Sequence, residues 1–200
     1  NPESVTYSKA ALGRTDLFKK TYFDGALRDV RIYDAALTAG EVAALAAARA
    51  AEPTMSPSAS PSASPSQSPA AAAVVAVPEG RIGCDADSPA DECPLHHWLM
   101  DEAAGATTAV DTGTSENPAP LTLAGGAAFL GPGEGGGALL SNPSGDDGRF
   151  LDFGTGFKFG ATNGITVAAW VRVDSVQNYG CILYLHDGGA NFIILQHYLT

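Results

Sequence analysis

Apolar positions along this chain follow two rhythms, separated by a stretch with no rhythm at all. In the first part, Val5 to Leu12 alternates loosely, as a strand would. Ala26 to Tyr33 (ALRDVRIY) alternates with Leu27, Val30 and Ile32 apolar and Arg28, Asp29 and Arg31 between them. The phase slips by one residue at Arg28-Asp29, which predicts a β-bulge there. Thr38 with Glu41 three positions later is a capping box, and Val42 and Leu45 follow as a narrow apolar face. An Ala-rich helix is therefore expected to run to about Ala51, where Pro53 stops it.

The later part is patterned for strands. Expected strands are Leu95 to Met100, Leu121 to Leu123, Ala138 to Leu140, Leu151 to Phe153, Ile165 to Val173, Cys181 to Leu185 and Asn191 to Gln196. Turn-forming AGG, GPGEGGG, NPSGDDG and DGG segments punctuate them. The clearest alternation sets Ile165, Val167, Ala169, Val171 and Val173 on one face and Thr166, Ala168, Trp170 and Arg172 on the other. Many short strands with Gly-rich turns indicate an all-β fold, an antiparallel β-sandwich or jelly roll, with one short Ala-rich helix.

Between the two lies a Ser/Pro/Ala-rich tract, residues 53–80. Its first 26 residues, 53–78, carry no charge, and residues 56–69 read SPSASPSASPSQSP. Proline removes backbone donors, and Ser and Ala offer too little apolar area to offset ordering entropy, so a disordered, semi-extended linker is expected. Its composition suits either a plain tether or an O-glycosylated stalk.

Charge changes the picture of partners. Seven basic and seven acidic residues precede the linker, whereas four basic and fifteen acidic residues follow Pro78, where the whole net charge of −11 resides. That balance argues against nucleic acid and anionic membrane. Ala70 to Val77 is apolar but far too short to insert through a bilayer.

Of the three cysteines, Cys84 and Cys93 are separated by eight residues in an acidic loop, GCDADSPADECP. A disulfide closing that loop is plausible, and CxxC metal spacing is absent. Cys181 lies in a strand-like run, as a buried thiol or the partner of a cysteine elsewhere.

Catalytic constellations do not emerge: there is no Gly-x-Ser-x-Gly elbow, no His-Glu-x-x-His and no phosphate loop. The acidic run DADSPADE is broken by proline, and no strand carries a Glu-x-Asp-x-x-Glu array of the kind used by jelly-roll glucanases. His96 and His97 are neighbours on an expected strand, so they point to opposite faces and do not easily share one metal. Trp98 reads as core. Trp170 reads as packing, or as an outward aromatic able to stack on a sugar ring. Asp146-Asp147-Gly148 and Asp187-Gly188-Gly189 read first as turn chemistry.

Four stretches together resemble the laminin-G-like, concanavalin A-like jelly-roll family. They are HWLMDEAAGATTAVDTGT (97–114), GGALLSNPSGDDGRFLDFG (136–154), GITVAAWVRV (164–173) and FDGALRDVRIYDAALTAGEVAAL (23–45). The last resembles that family's final strand and terminal helix, and the other three its opening half. The order is therefore reversed, and the family's middle strands with a Trp-His-x-Val-Ala run are missing. The expectation is a cut across tandem modules: residues 1–52 end one, 53–80 link, and 81–200 open a second, incomplete one. In the alternative arrangement, the first segment docks against the second in place of its absent closing strand.

The resemblance implies a secreted or cell-surface protein that recognises glycans or glycoproteins without catalysis, beside neighbouring modules of the same longer chain. Its rim loops imply ligand contacts from Tyr179, His186, Asp187 and Asn191. It also implies a structural Ca²⁺ site, for which Asp29, Asp101 and Glu102 are the oxygen-bearing candidates; solvated turn carboxylates are the alternative reading. Two other roles fit the same motifs: an accessory module of a secreted glycoside hydrolase with its catalytic domain elsewhere, and a cell-surface spacer.

Overall fold

The phase slip at Arg28-Asp29 is a bulge in the computed structural model. Ala168 pairs with Arg31 but Trp170 pairs with Arg28, so the strand Gly25–Tyr33 carries one extra residue. Asp29 occupies it, with a left-handed φ of 51°, a conformation that Asp tolerates better than most residues. Leu27, Val30 and Ile32 can thus all face the core although they are not evenly spaced.

The structure describes residues 5–16, 21–50, 93–131, 136–140, 148–155, 157–159, 164–175, 179–189 and 192–197. These form β1 (Val5–Tyr7), β2 (Lys9–Leu12), β3 (Arg14–Thr15), β4 (Thr21–Tyr22), β5 (Gly25–Tyr33) and α1 (Ala39–Ala50) before the linker. After it come β6 (His96–Trp98), β7 (Thr108–Ala109), β8 (Leu121–Ala124), β9 (Ala128–Phe129) and β10 (Ala138–Leu139). The chain continues through β11 (Phe150–Asp152), β12 (Phe157–Phe159), β13 (Thr166–Val173), β14 (Gly180–His186) and β15 (Phe192–His197). The expected all-β class, antiparallel with one short helix, is observed. The linker residues 53–80 lie outside the described residues.

Two large sheets carry the fold. One has the order β13-β5-β10-β9, with β6 also paired to β5. The other runs β15-β14-β2-β11-β8-β7, and β1–β12 and β3–β4 form separate ribbons. In both large sheets an inner strand comes from before the linker and its neighbours from after it. β5 lies between β13 on one side and β6 and β10 on the other. β2 lies between β14 and β11. Among the described residues, β1, β2 and β5 from before the linker are therefore hydrogen-bonded to strands that follow it.

One core serves both sheets: Leu27, Val30, Ile32 and Trp98 from the first meet Leu12, Leu121, Leu151, Leu183 and Leu185 from the second. Trp98 is fully buried, donates Nε1–H to the Ala119 carbonyl at 2.8 Å and meets Phe153 edge-on, as expected of a core indole. Val5 to Leu12, which reads as one strand, is two. Ser8 separates them, hydrogen-bonding the His186 carbonyl through both its N–H and its hydroxyl, and the chain passes from the β1 ribbon into the large sheet. Additional strands of two or three residues, such as β3, β4, β7 and β9, are too short for any periodicity to reveal.

Candidate functional site

β13 borders its sheet, and its outward face meets α1 across a cleft of about 310 Å³. The start of α1 is anchored to β13. Thr38 and Glu41 form the expected capping box: the Thr38 N–H and hydroxyl donate to Glu41 Oε2 at 2.7 and 2.8 Å, and the Glu41 N–H donates back to Thr38 Oγ1 at 3.3 Å. Just before it, the Leu37 N–H donates to Thr166 Oγ1 at 2.9 Å, and that hydroxyl donates to the Ala35 carbonyl at 2.8 Å. Thr166 thus clips the start of the helix to β13. Beyond the clip, alanines dominate and Val42 remains 49% exposed, so the helix overhangs the strand without sealing against it.

Trp170 stands on the cleft wall, 41% exposed, with Ala168, Val42 and Leu45 around it. Asp29 and Arg31 line its polar side. Both are buried, and they are joined twice, Arg31 Nε to Asp29 Oδ1 at 2.7 Å and Arg31 Nη2 to Asp29 Oδ2 at 3.0 Å. His97 Nε2 reaches the same Asp29 Oδ1 at 2.8 Å from β6, where His97 is the register partner of Arg31. Burial by itself pushes the Asp29 carboxyl up, but hydrogen bonds from His97 and Arg31 and their charges outweigh it and hold it at about 2. Asp29 is therefore a fixed, satisfied anion that shapes the cleft.

His96 and His97 do point to opposite faces. His96 is fully buried, stacked on Trp98 at 5.6 Å, with Nδ1 2.6 Å from Asp111 Oδ2. Asp111 also accepts from the backbone N–H groups of His97, Gly113 and Ala119 at 3.0, 3.0 and 2.9 Å. Burial raises its carboxyl, yet these four bonds win and lower it. Sequence reasoning passed over Asp111; its Asx-turn spacing to Gly113 was the available signal.

The remaining expected site residues are not gathered. Tyr179 precedes β14 and His186 ends it, so the two stand about 20 Å apart at a strand's rise per residue and do not line one edge. His186 Nδ1 accepts from the Gly188 N–H at 3.1 Å and Asp187 Oδ1 from the Gly189 N–H at 2.7 Å, which is turn chemistry. Asn191 lies outside the described residues, as do Asp146 and Asp147.

The expected calcium candidates are not gathered into one set. Asp29 already holds a guanidinium and an imidazole, Asp101 is exposed, and Glu102 accepts the Val110 N–H on Oε1 at 3.0 Å while its Oε2 is buried without a hydrogen-bond partner. Among the described residues no group of three or more His, Cys, Asp or Glu side chains comes together as a metal set. Cys93 is buried and disulfide-bonded, and Cys84 lies outside the described residues. Cys181 is a free thiol in the core, and burial pushes it up to about 12. Among the described residues no helix is long and apolar enough to cross a membrane.

No protein-family model matches the chain, and no curated protein or solved structure matches it.

Proposed function

We propose that this chain is a non-catalytic recognition module of the laminin-G-like, concanavalin A-like jelly-roll type, binding glycans or glycoproteins outside the cell. The binding site in this reading is the cleft between α1 and β13. The observation that carries it is Trp170: a large aromatic, 41% exposed, held on a strand beside an apolar hollow. The C–H face of a pyranose packs on such a ring, and a partly exposed aromatic in a preformed concavity is a recurrent feature of binding sites. The Asp29–Arg31–His97 cluster supports the wall that presents it. An extracellular setting is supported by the disulfide at Cys93 and by the Ser-Pro tract.

Fluorescence titration of the full chain with a panel of neutral and acidic oligosaccharides tests this. Binding is expected to shift the Trp170 emission, and Trp170→Ala is expected to weaken it at least tenfold with the near-UV spectrum of Trp98 retained. Equal affinity in Trp170→Ala places recognition elsewhere. No binding across the panel favours the spacer role.

A further inference from the structure

We infer that residues 5–50 of one molecule can occupy the sheets of a second, so that this chain forms strand-exchanged dimers. The reading does not depend on glycan binding. It rests on how the two parts of the chain are interleaved.

β5 is hydrogen-bonded along its length to β13, from Thr166 opposite Tyr33 to Val173 opposite Gly25, and on its other edge to β6 and β10. β2 bonds β14 through Leu12 opposite Leu183 to Lys9 opposite His186, and on its other edge bonds β11. Withdrawing residues 5–50 would therefore split both large sheets. It would also uncover the pockets filled by Leu12, Phe23, Leu27 and Ile32, each essentially without solvent exposure. The later part of the chain is an acceptor with two open slots, and the earlier part is a donor with two inner strands.

The donor is tied to the acceptor through residues 51–92, which include the uncharged run 53–78. A tie of 42 residues reaches far more than the width of a small domain. Every contact made within one molecule is reproduced between two, so closure and exchange differ chiefly in chain entropy. The local concentration of donor supplied by a tie of this length is of millimolar order and falls as the tie lengthens. Folding at micromolar concentration then favours closure, and folding near millimolar, or with copies crowded on a surface, favours exchange.

The test uses two full-length variants. Leu27→Asp spoils the donor at its buried β5 position, and Leu121→Asp spoils the acceptor at its buried β8 position. Refolded together at about 1 mM, they are expected to give a 1:1 species of twice the 20.4 kDa chain mass. It holds one intact pair of sheets, with half the native near-UV signal per chain. A mixture that equals the sum of the two variants refolded separately overturns the proposal. Wild-type chain supplies a second measurement that does not depend on either variant. Refolded at about 1 mM, it should yield dimers that survive dilution to micromolar for hours, because release requires unfolding. Monomers alone, or dimers that fall apart on mixing, overturn the proposal.

Discussion

Asp29 and Arg31, two positions apart on β5, form a two-point ion pair at 2.7 and 3.0 Å beneath the outer surface of the sheet. The bulge makes this pairing compatible with a core on the opposite face, because Asp29 takes the extra residue's place and Val30 still turns inward. His97 completes the cluster from the neighbouring strand.

Removing the Asp29 charge should be costly. Asp29→Asn keeps a side chain that tolerates the left-handed backbone but leaves the buried Arg31 guanidinium without its anion. Urea unfolding is expected to show a loss of about 3 kcal/mol, most of it recovered when Arg31→Met is added. Equal stability of wild type and single variant would mean that the pair is not buried in solution.

The same carboxylate sets an acid limb. Its folded value is about 2 against an ordinary 3.8, so the unfolded chain binds more protons between those values and stability rises with pH there. The contribution is complete above about pH 5 and disappears as pH falls through about 2, amounting to roughly 2 kcal/mol. Asp111, also lowered, acts in the same direction. Unfolding free energy measured from pH 6 to 2 should fall less steeply in Asp29→Asn than in wild type.

Thr166→Val keeps the shape of the side chain and removes the hydroxyl that joins Leu37 N–H to the Ala35 carbonyl. Helix α1 should lose amide-exchange protection corresponding to about 1–2 kcal/mol, while β14 and β2 keep theirs. If the cleft binds glycans, affinity falls in parallel with helix protection.

The Cys181 thiol, held at about 12 by burial, should resist iodoacetamide at pH 8 in the native protein and react at once in denaturant. Rapid native labelling would show that β14 opens far more easily than its buried position implies.

Two tryptophans should separate cleanly by acrylamide quenching. Trp98, fully buried, is expected to be shielded, and Trp170 to carry the quenchable emission, which Trp170→Phe abolishes. Shielding of both would mean that the cleft is covered in solution.

Much of this fold was legible in particular residues. The slipped alternation of ALRDVRIY announced the bulge, Thr38 and Glu41 announced the start of the helix, and the adjacency of His96 and His97 announced their opposite faces. The candidate site was less legible. The resemblance groups Tyr179, His186 and Asp187 on one rim, yet β14, Gly180–His186, carries the chain from the first to the other two. Val171 and Val173 continue the inward face of β13 but are 39% and 44% exposed, because the strand borders its sheet. Alternation reports which side a residue faces and is silent about whether anything covers that side.

By itself, the sequence determined the local elements: strands where apolar residues recur at period two, a helix where a capping box opens an alanine run, and turns where glycine and aspartate cluster. These choices depend on neighbours a few residues away. Tertiary structure decided that β2 and β5 lie inside sheets whose other strands follow the linker, that Asp29 meets Arg31 and His97 rather than Asp101 and Glu102, and that Trp170 is left half-exposed beside α1. Each of those outcomes depends on hydrogen-bonded edges and apolar surfaces far apart in the chain, which only the closing of the two sheets around one core brings into contact.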